Sequence, residues 1–566
     1  MVIYMRITNK IMQKNNLSNI NTNKIYQDKL STQMSTQKKI NRPSDDPVVA
    51  IRALRLRSSV TEITQYYSKN IPDAESWLSV TEDSLKNLSA IITNMITLCT
   101  KGSNGPLKTE DRQIILEQLK ALGEEVYATG DADYAGRYVF TGYRTDTPLS
   151  FDKEENIKYE ITEQLKNNVI DSVTKVNMGK LEDLNSANFN SADMKDIIED
   201  DITDVEVHRI RLAYDDCYAD GGVKVSFQVP KQATNADGSL KFETNPDGSQ
   251  KLDGDGNPIP VYEKDADGKI VYDTVTWPNG NVTMKTMHSY DNPDPYNYIA
   301  DSAHKDEVVF VPETGELLLG DERYQELMKI KDDDTTLADE SEIRVTYEKQ
   351  HWQKGDLRPE HYFYCKSNPG DAEKEIVYNQ SYLSIDAERQ DIEYDVGYNQ
   401  TIRVNSTADQ CFKHGIGREV DDLLTSIQDV LDLEAQQASL EKMMESLEDG
   451  TTDKKIMQNQ LDALNKALTL AKKKEQKLFE EGITAFQGYL DDASLCITEC
   501  GTRSSKLALI KNRSQNQKTT FETLKSENED IDITEVAIQL NSAELTYEAA
   551  LMATGKVSQT TLLNYI

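Results

Sequence analysis

The stretch that most constrains this chain is its last, residues 533–566: ITEVAIQLNSAELTYEAALMATGKVSQTTLLNYI. Val536, Leu540, Ala543, Tyr547, Ala550, Thr554 and Val557 fall alternately four and three apart. That is the period of an apolar stripe on a helix that packs against a second helix. The apolar character continues through Leu562, Leu563, Tyr565 and Ile566, although chain ends are normally polar and frayed. The stretch best equipped to cover this helix is the first sixty residues, with eleven Lys or Arg against three Asp or Glu; residues 517–566 carry three against eight. Opposite charge favours pairing at close range. The two ends of the chain are therefore expected to meet as helices.

At 566 residues the chain is too long for one core, so several domains are expected. A net charge of −34 argues against nucleic-acid binding, which needs a basic face. No apolar run reaches the length of a membrane span, and the first residues, MVIYMRITNKIMQKNN, lack the apolar region of a Sec signal peptide. Six cysteines without a CxxC pair indicate neither a disulfide scaffold nor a zinc ribbon. Cys496 and Cys500, one helical turn apart, read as small residues on a buried helix.

Along the chain, residues 7–40 are rich in Asn, Gln, Ser and Thr, with sparse apolar positions at Ile7, Ile11, Met12, Leu17, Ile20, Ile25, Leu30 and Met34. Such a helix is marginal without a partner. Asn41-Arg42-Pro43-Ser44-Asp45-Asp46-Pro47 then breaks it, with Asp46 placed as an N-cap and Pro47 at the first helical position. The next helix carries Ile51, Leu54, Val60 and Ile63. Ile71, Ala74, Leu78, Thr81, Leu85, Leu88, Ile92, Met95 and Cys99 then hold a strict four-three alternation. After Gly102–Pro106, Thr109 is expected to cap a return helix bearing Ile115, Leu119, Leu122 and Val126, which makes an antiparallel hairpin. Helical spacing returns from Gly415 with Leu424, Ile427 and Leu431, and continues with Leu461, Leu464, Leu468, Ala471 and Leu478, then Leu507, Ile510, Phe521 and Leu524. Gly450-Thr451-Thr452 is expected to break one hairpin, and Gly501-Thr502 to interrupt the later helix.

Two stretches carry a family resemblance. QKKINRPSDDPVVA (Gln37 to Ala50) and GRYVFTGYRTDTPLSF (Gly136 to Phe151) resemble the signature stretches of the flagellar hook-associated protein 3 family. The closing TYEAALMATGKVSQTTLLNYI resembles the same family and, more loosely, flagellin. The resemblance covers about residues 5–151 and 393–566; Gln37 stands where Gly is more usual. It implies an α+β, flagellin-like fold whose terminal helices pair into an elongated helical rod, with a mainly β central insert. The expected division is 1–47 with 525–566 as the terminal assembly region, 48–151 with 411–524 as the rod, and 152–410 as the insert. It implies a structural subunit at the hook–filament junction of the bacterial flagellum, outside the cell and exported through the flagellar type III pathway. Its implied partners are copies of itself, hook-associated protein 1, flagellin and an export chaperone. Candidate assembly residues are Arg6, Ile7, Asn41, Pro43, Asp45, Asp46, Pro47, Tyr547, Leu562, Leu563, Tyr565 and Ile566. The alternatives are flagellin itself or, from another class, an adhesin-like binding module in residues 152–410.

Residues 152–410 lose the heptads. Asp-Gly and Asn-Gly turns at 236–238, 246–248, 253–256, 266–268 and 278–280 separate short β-rich runs, which are hairpin signals. Nothing there points to catalysis, a metal or a cofactor. HExxH and GxSxG are absent. The six histidines are scattered; His351, His361 and Cys365 could sit on adjacent strands, but surface or half-buried histidines are the better reading. Asp253-Gly-Asp255-Gly-Asn257 lacks the Gly and Glu a calcium loop needs, and His414-Gly-Ile-Gly417 is not a nucleotide loop.

Overall fold

The structure is a computed structural model that describes residues 9–105, 107–185, 188–235, 237, 239–245, 247, 249–252, 258–264, 271–280, 282–328, 343–383, 390–448 and 450–559. Its helices are α1 (Asn9–Thr36), α2 (Pro47–Gln65), α3 (Ile71–Ser103), α4 (Thr109–Gly130), α5 (Pro295–Ala300), α6 (Asp321–Met328), α7 (Ala408–Cys411), α8 (His414–Glu445), α9 (Thr452–Glu529) and α10 (Ile533–Gln559). A π-helical turn, Tyr66–Asn70, joins α2 to α3. The strands are β1 (Asp133–Tyr134), β2 (Arg137–Tyr138), β3 (Glu155–Leu165), β4 (Ile170–Asn177), β5 (Thr203–Arg211), β6 (Lys224–Pro230), β7 (Tyr272–Trp277), β8 (Met284–Thr286), β9 (Val308–Val311), β10 (Glu316–Leu319), β11 (Ile343–Trp352), β12 (Tyr364–Ser367), β13 (Ile376–Tyr378), β14 (Glu393–Gly397) and β15 (Gln400–Arg403). Contacts divide the chain into two compact units, one of 1–76, 393–403 and 503–566, the other of 77–392 and 404–502. The α+β architecture expected from the sequence is present, with long helices towards both termini and a sheet-rich centre.

The α3 seam is the strongest sequence signal, and all nine of its positions, Ile71 to Cys99, are at most 1% exposed. Opposite it, α4 buries Ile115, Leu119 and Val126, while α8 buries Ile416, Val420, Leu423, Ile427 and Val430. Leu424 and Leu431, expected in the α8 seam, are only half-buried, because the stripe runs through their neighbours Leu423 and Val430. α9 does not break at Gly501: it continues from Thr452 to Glu529, with Cys500 and Leu507 buried on either side of the glycine. One glycine costs a helix about 1 kcal/mol relative to alanine, less than burying a large side chain gains. Thr109 is the first residue of α4 rather than its cap, and its hydroxyl donates to Glu434 at 2.7 Å. Inside this packing, buried Arg112 spans Glu475 and Glu434, each at 3.0 Å.

The outgoing and returning chain meet at the base of the sheet region. Phe140 packs on Phe412 with ring centroids 4.8 Å apart, and Ala408 N donates to Phe140 O at 2.9 Å. His414-Gly415-Ile416-Gly417 opens α8, and its glycines admit tyrosines to the helix backbone. An added Cβ would come within 2.0 Å of the Tyr489 oxygen at Gly415 and 2.7 Å of the Tyr127 oxygen at Gly417.

The sheets are antiparallel except for β8 with β9. Of the two larger sheets, the first has the order β4-β5-β10-β9-β8 and the second β13-β12-β3-β11-β6-β7; β1 with β2 and β14 with β15 form two-stranded sheets. Buried Arg209 on β5 reaches Asp171 on β4, Glu316 on β10 and Asp422 on α8, while Arg211 pairs with Asp422 and Glu419. This network ties the first sheet to α8. The irregular segment 178–202 packs Leu181, Leu184, Met194, Ile197 and Ile202 onto the far half of the α8–α9 hairpin, against Val430, Leu433, Leu464 and Leu468.

Residues 231–271 take a form that hairpin signals do not describe. Three layers each close a ring of three backbone hydrogen bonds: Lys231–Val271–Glu263, Ala233–Val261–Lys241 and Glu243–Ile259–Lys251. The chain repeats itself here, TNADGSLKFE followed by TNPDGSQKLD. In each copy an aspartate, Asp237 or Asp247, accepts the N–H of a serine two residues on at 3.0 Å. The turns expected at 253–256 and 266–268 lie outside the described residues.

Candidate assembly interface

The first unit holds both chain ends. α10 lies against α1, and the seam read from the sequence is the face it turns inward: Val536 and Ala543 are buried, and Leu540, Tyr547, Ala550 and Thr554 half-buried. The matching face of α1 is Asn16, Ile20, Asn23, Gln27, Leu30 and Met34, again at four-three spacing. Half of that face is amide. Leu30, at 2% exposed, is the one described α1 residue with a fully buried side chain. Ile11, Met12, Leu17 and Ile25, among the sparse apolar positions of α1, point to solvent, because the inward stripe runs through the amides instead. α10 likewise leaves Ile538, Leu545, Leu551 and Met552 exposed, the last at 69%. The pair thus carries an apolar surface that it does not cover itself.

The loop after α1 is fastened to the α9–α10 junction. Gln37 has φ +56°, the left-handed region where glycine is favoured, and its carbonyl accepts from Ile531 N at 3.2 Å. Lys38 pairs with Asp530, and Lys39 N donates to Glu529 O at 2.7 Å. Arg57 on α2 grips Glu529 with two hydrogen bonds of 2.6 and 2.7 Å, and this guanidinium holds the carboxyl of Glu529 below its usual range. Sequence reading missed Lys38, Arg57 and Glu529; their signal was the opposite charge of the two chain ends.

The residues expected from the sequence fall into three groups. Asp45 accepts the N–H groups of Asn41 and Arg42 at 3.1 and 2.9 Å, which lowers its pKa, and Asp46 caps α2 by accepting from Val48 N and Val49 N at 3.0 and 3.1 Å. Pro47 opens the helix as expected. These three shape the loop. Asn41 and Pro43 stand exposed on it, and Tyr547 is half-buried on α10. Arg6, Ile7, Leu562, Leu563, Tyr565 and Ile566 lie outside the described residues. α2 packs through Ala50 and Ala53, while Ile51 and Leu54 are exposed.

Among the described residues no group of three His, Cys, Asp or Glu side chains is placed to hold a metal. No described helix is long and apolar enough to cross a membrane. His351 is exposed on β11; His361 is buried, its Nε2 3.0 Å from Pro148 O; Cys365 is buried on β12. Burial lowers the pKa of His361 to about 4, the behaviour of a structural imidazole.

Residues 7–145 match the family model of the bacterial flagellin N-terminal helical region. The chain is similar to flagellar hook-associated protein 3 of Escherichia coli (strain K12), 31% identical over 157 residues that make up 27% of this chain and 48% of that protein. It is similar to the protein of the same name from Salmonella typhimurium, 30% identical over 143 residues, 25% of this chain and 45% of the relative. The chain thus spans about half the length of the curated relatives it matches. Among solved structures, that of flagellar hook associated protein-3 from Legionella pneumophila aligns with 83% of this chain and 97% of its own, at 8% identity and a TM-score of 0.27.

Proposed function

We propose that this chain is a structural subunit of the bacterial flagellum, placed at the junction between hook and filament. Its role is mechanical: copies of the chain form a layer that adapts hook-associated protein 1 on one side to flagellin on the other. The observation that carries the reading is the α1–α10 pair, which leaves Ile11, Leu17, Ile25, Ile538, Leu545 and Met552 uncovered. Monomers rarely leave so many large apolar side chains exposed along one helix pair; such surfaces mark contacts with other molecules. One helix of that pair, α1, lies within the stretch that matches the bacterial flagellin N-terminal helical region. Neighbouring copies pack head to tail, as heterologous contacts build tubes.

In this reading Asn41, Pro43 and Tyr547 belong to the contact surface, and Asp45, Asp46 and Pro47 give the loop its shape. Arg6, Ile7, Leu562, Leu563, Tyr565 and Ile566 are assigned to assembly as well. The chain travels unfolded through the flagellar export pathway with a chaperone on its terminal segments, and those segments order on assembly. The decisive experiment is electron microscopy of cells lacking this protein. Hooks without filaments are expected; filaments of normal length on normal hooks would overturn the proposal. Filament growth from the purified protein alone would favour the flagellin reading instead.

A further inference from the structure

We infer that Cys411 and Cys496 form an intramolecular disulfide when the chain folds in an oxidising medium. The inference rests on the register between the segment 411–415 and α9. Gly415 lies against Tyr489, whose hydroxyl would meet a Cβ at 2.0 Å. Two residues back, Lys413 Nζ meets Asp492 Oδ2 at 2.5 Å. Two residues further back stands Cys411, whose buried thiol is close enough to that of buried Cys496 to be influenced by it. Positions 489, 492 and 496 lie on one face of a helix. Two successive contacts thus set the register that brings the two cysteines opposite each other, independently of the sulfurs themselves.

The surroundings hold the pair in place. Cys411 Sγ sits 3.4 Å from Thr407 O within α7, and the next residue, Phe412, is clamped against Phe140. Both sulfurs are buried and reduced in the structure. Cys500, one turn on, donates instead to Leu78 O, and Cys217 to Tyr214 O, each at 3.4 Å.

Burial raises the Cys411 thiol well above its ordinary range, so in the finished fold little thiolate forms and oxidant enters slowly. The bond therefore closes during folding, before α7 seats on α9. That timing rests on the proposed export of an unfolded chain; the chemistry itself does not need a flagellum. With oxidised glutathione as the oxidant, two protein S–H bonds break and one S–S bond forms between the two Sγ atoms. The two electrons and two protons pass to glutathione, which leaves as two reduced molecules.

The test uses the full chain, unfolded under reduction and returned to buffer with either dithiothreitol or a glutathione redox mixture. The glutathione product should be lighter by two hydrogens, yield one linked peptide pair containing Cys411 and Cys496, and melt several degrees higher than the reduced form. C411S and C496S should each abolish the mass loss and the linked pair while melting like the reduced wild type. Protein never unfolded, held with diamide, offers a second measurement: two of its six thiols should disappear slowly. Six surviving thiols in both experiments, stable glutathione adducts at either residue, or a bond joining a different pair would each overturn the inference. No readout involves assembly, so a negative result leaves the junction proposal standing, and filaments on the deletion strain would leave the disulfide standing.

Discussion

The α1–α10 pair and the packing of α3, α4, α8 and α9 are written in the same four-three spacing and come out differently. In α3 every stripe position is filled with an apolar or small side chain, and all nine are buried. In α1 three of the six stripe positions are Asn or Gln, and Leu30 alone is fully buried. Spacing decides which face turns inward; the residues on that face decide whether the contact stands alone. A stripe half made of amides gains too little from burial to hold two long helices without further partners.

That contrast can be broken most sharply at the chain end. Deletion of residues 562–566 should abolish assembly while the α3, α4, α8 and α9 packing melts as in the intact chain. Wild-type assembly by the truncated protein, scored by electron microscopy, would contradict the proposed role of the ends. Next in size, Phe486→Ala should cost about 3–5 kcal/mol in the main calorimetric transition, since the ring is fully buried. Leu30→Ala should leave that transition unmoved but hasten proteolysis of residues 9–36 in the monomer. An equal loss from both variants would mean that the two packings are one cooperative block.

pH sharpens the comparison further. All six histidines lie in the second unit. Burial lowers the pKa of His361 to about 4 and of His414 to about 3, so both stay neutral in the fold while the unfolded chain takes up protons below about 6.5. Their contribution is complete above pH 6.5 and is lost as pH falls towards 4. Glu163, raised to about 7 by its burial, acts in the opposite sense: its contribution is complete below about 4.5 and is lost as pH rises through 7. Asp421, raised to about 6 by its burial, acts in the same sense as Glu163, so two groups oppose two and the balance between pH 6 and 4.5 is close to even. In the first unit, Glu529 is held below the carboxylate range by Arg57, so its contribution persists until pH falls below about 4.5. Removing one histidine should tip the balance in the second unit: in denaturant melts, His414→Phe should gain about 1.4 kcal/mol per pH unit relative to the wild type as pH falls from 6 towards 4.5. Parallel acid profiles for the variant and the wild type would refute the assignment.

The smallest expected effect is at Gln37. A non-glycine residue in the left-handed region costs about 1 kcal/mol, so Gln37→Gly should protect the loop after α1 from proteolysis by a fewfold. Unchanged cleavage would place the weak point of the pair in the α1–α10 stripe instead.

These same differences set what was legible in the sequence. The α3 seam was readable because its apolar residues occupy a single stripe. In α8 the adjacent pairs Leu423-Leu424 and Val430-Leu431 write two overlapping stripes, and spacing alone does not choose between them. The α2 start was readable at Asp46-Pro47 because a cap is local chemistry, whereas its packed face was not, because alanines carry the close approach. Gly501 suggested a break only because a propensity argument ignores what packs beside it. The assembly loop was legible in outline; its anchors, Lys38, Arg57 and Glu529, come from parts of the chain that only the fold brings together.

The three-membered rings of residues 231–271 carry one more consequence. Each ring is closed by its own short piece of chain, and the ten-residue repeat supplies the pieces. Duplicating one copy, with two more residues on the returning strand, would add a storey without disturbing any residue below. Losing one would remove a storey just as cleanly. This segment is therefore free to vary in height by whole units between kindred chains, while the strands β6 and β7 that carry it keep their length.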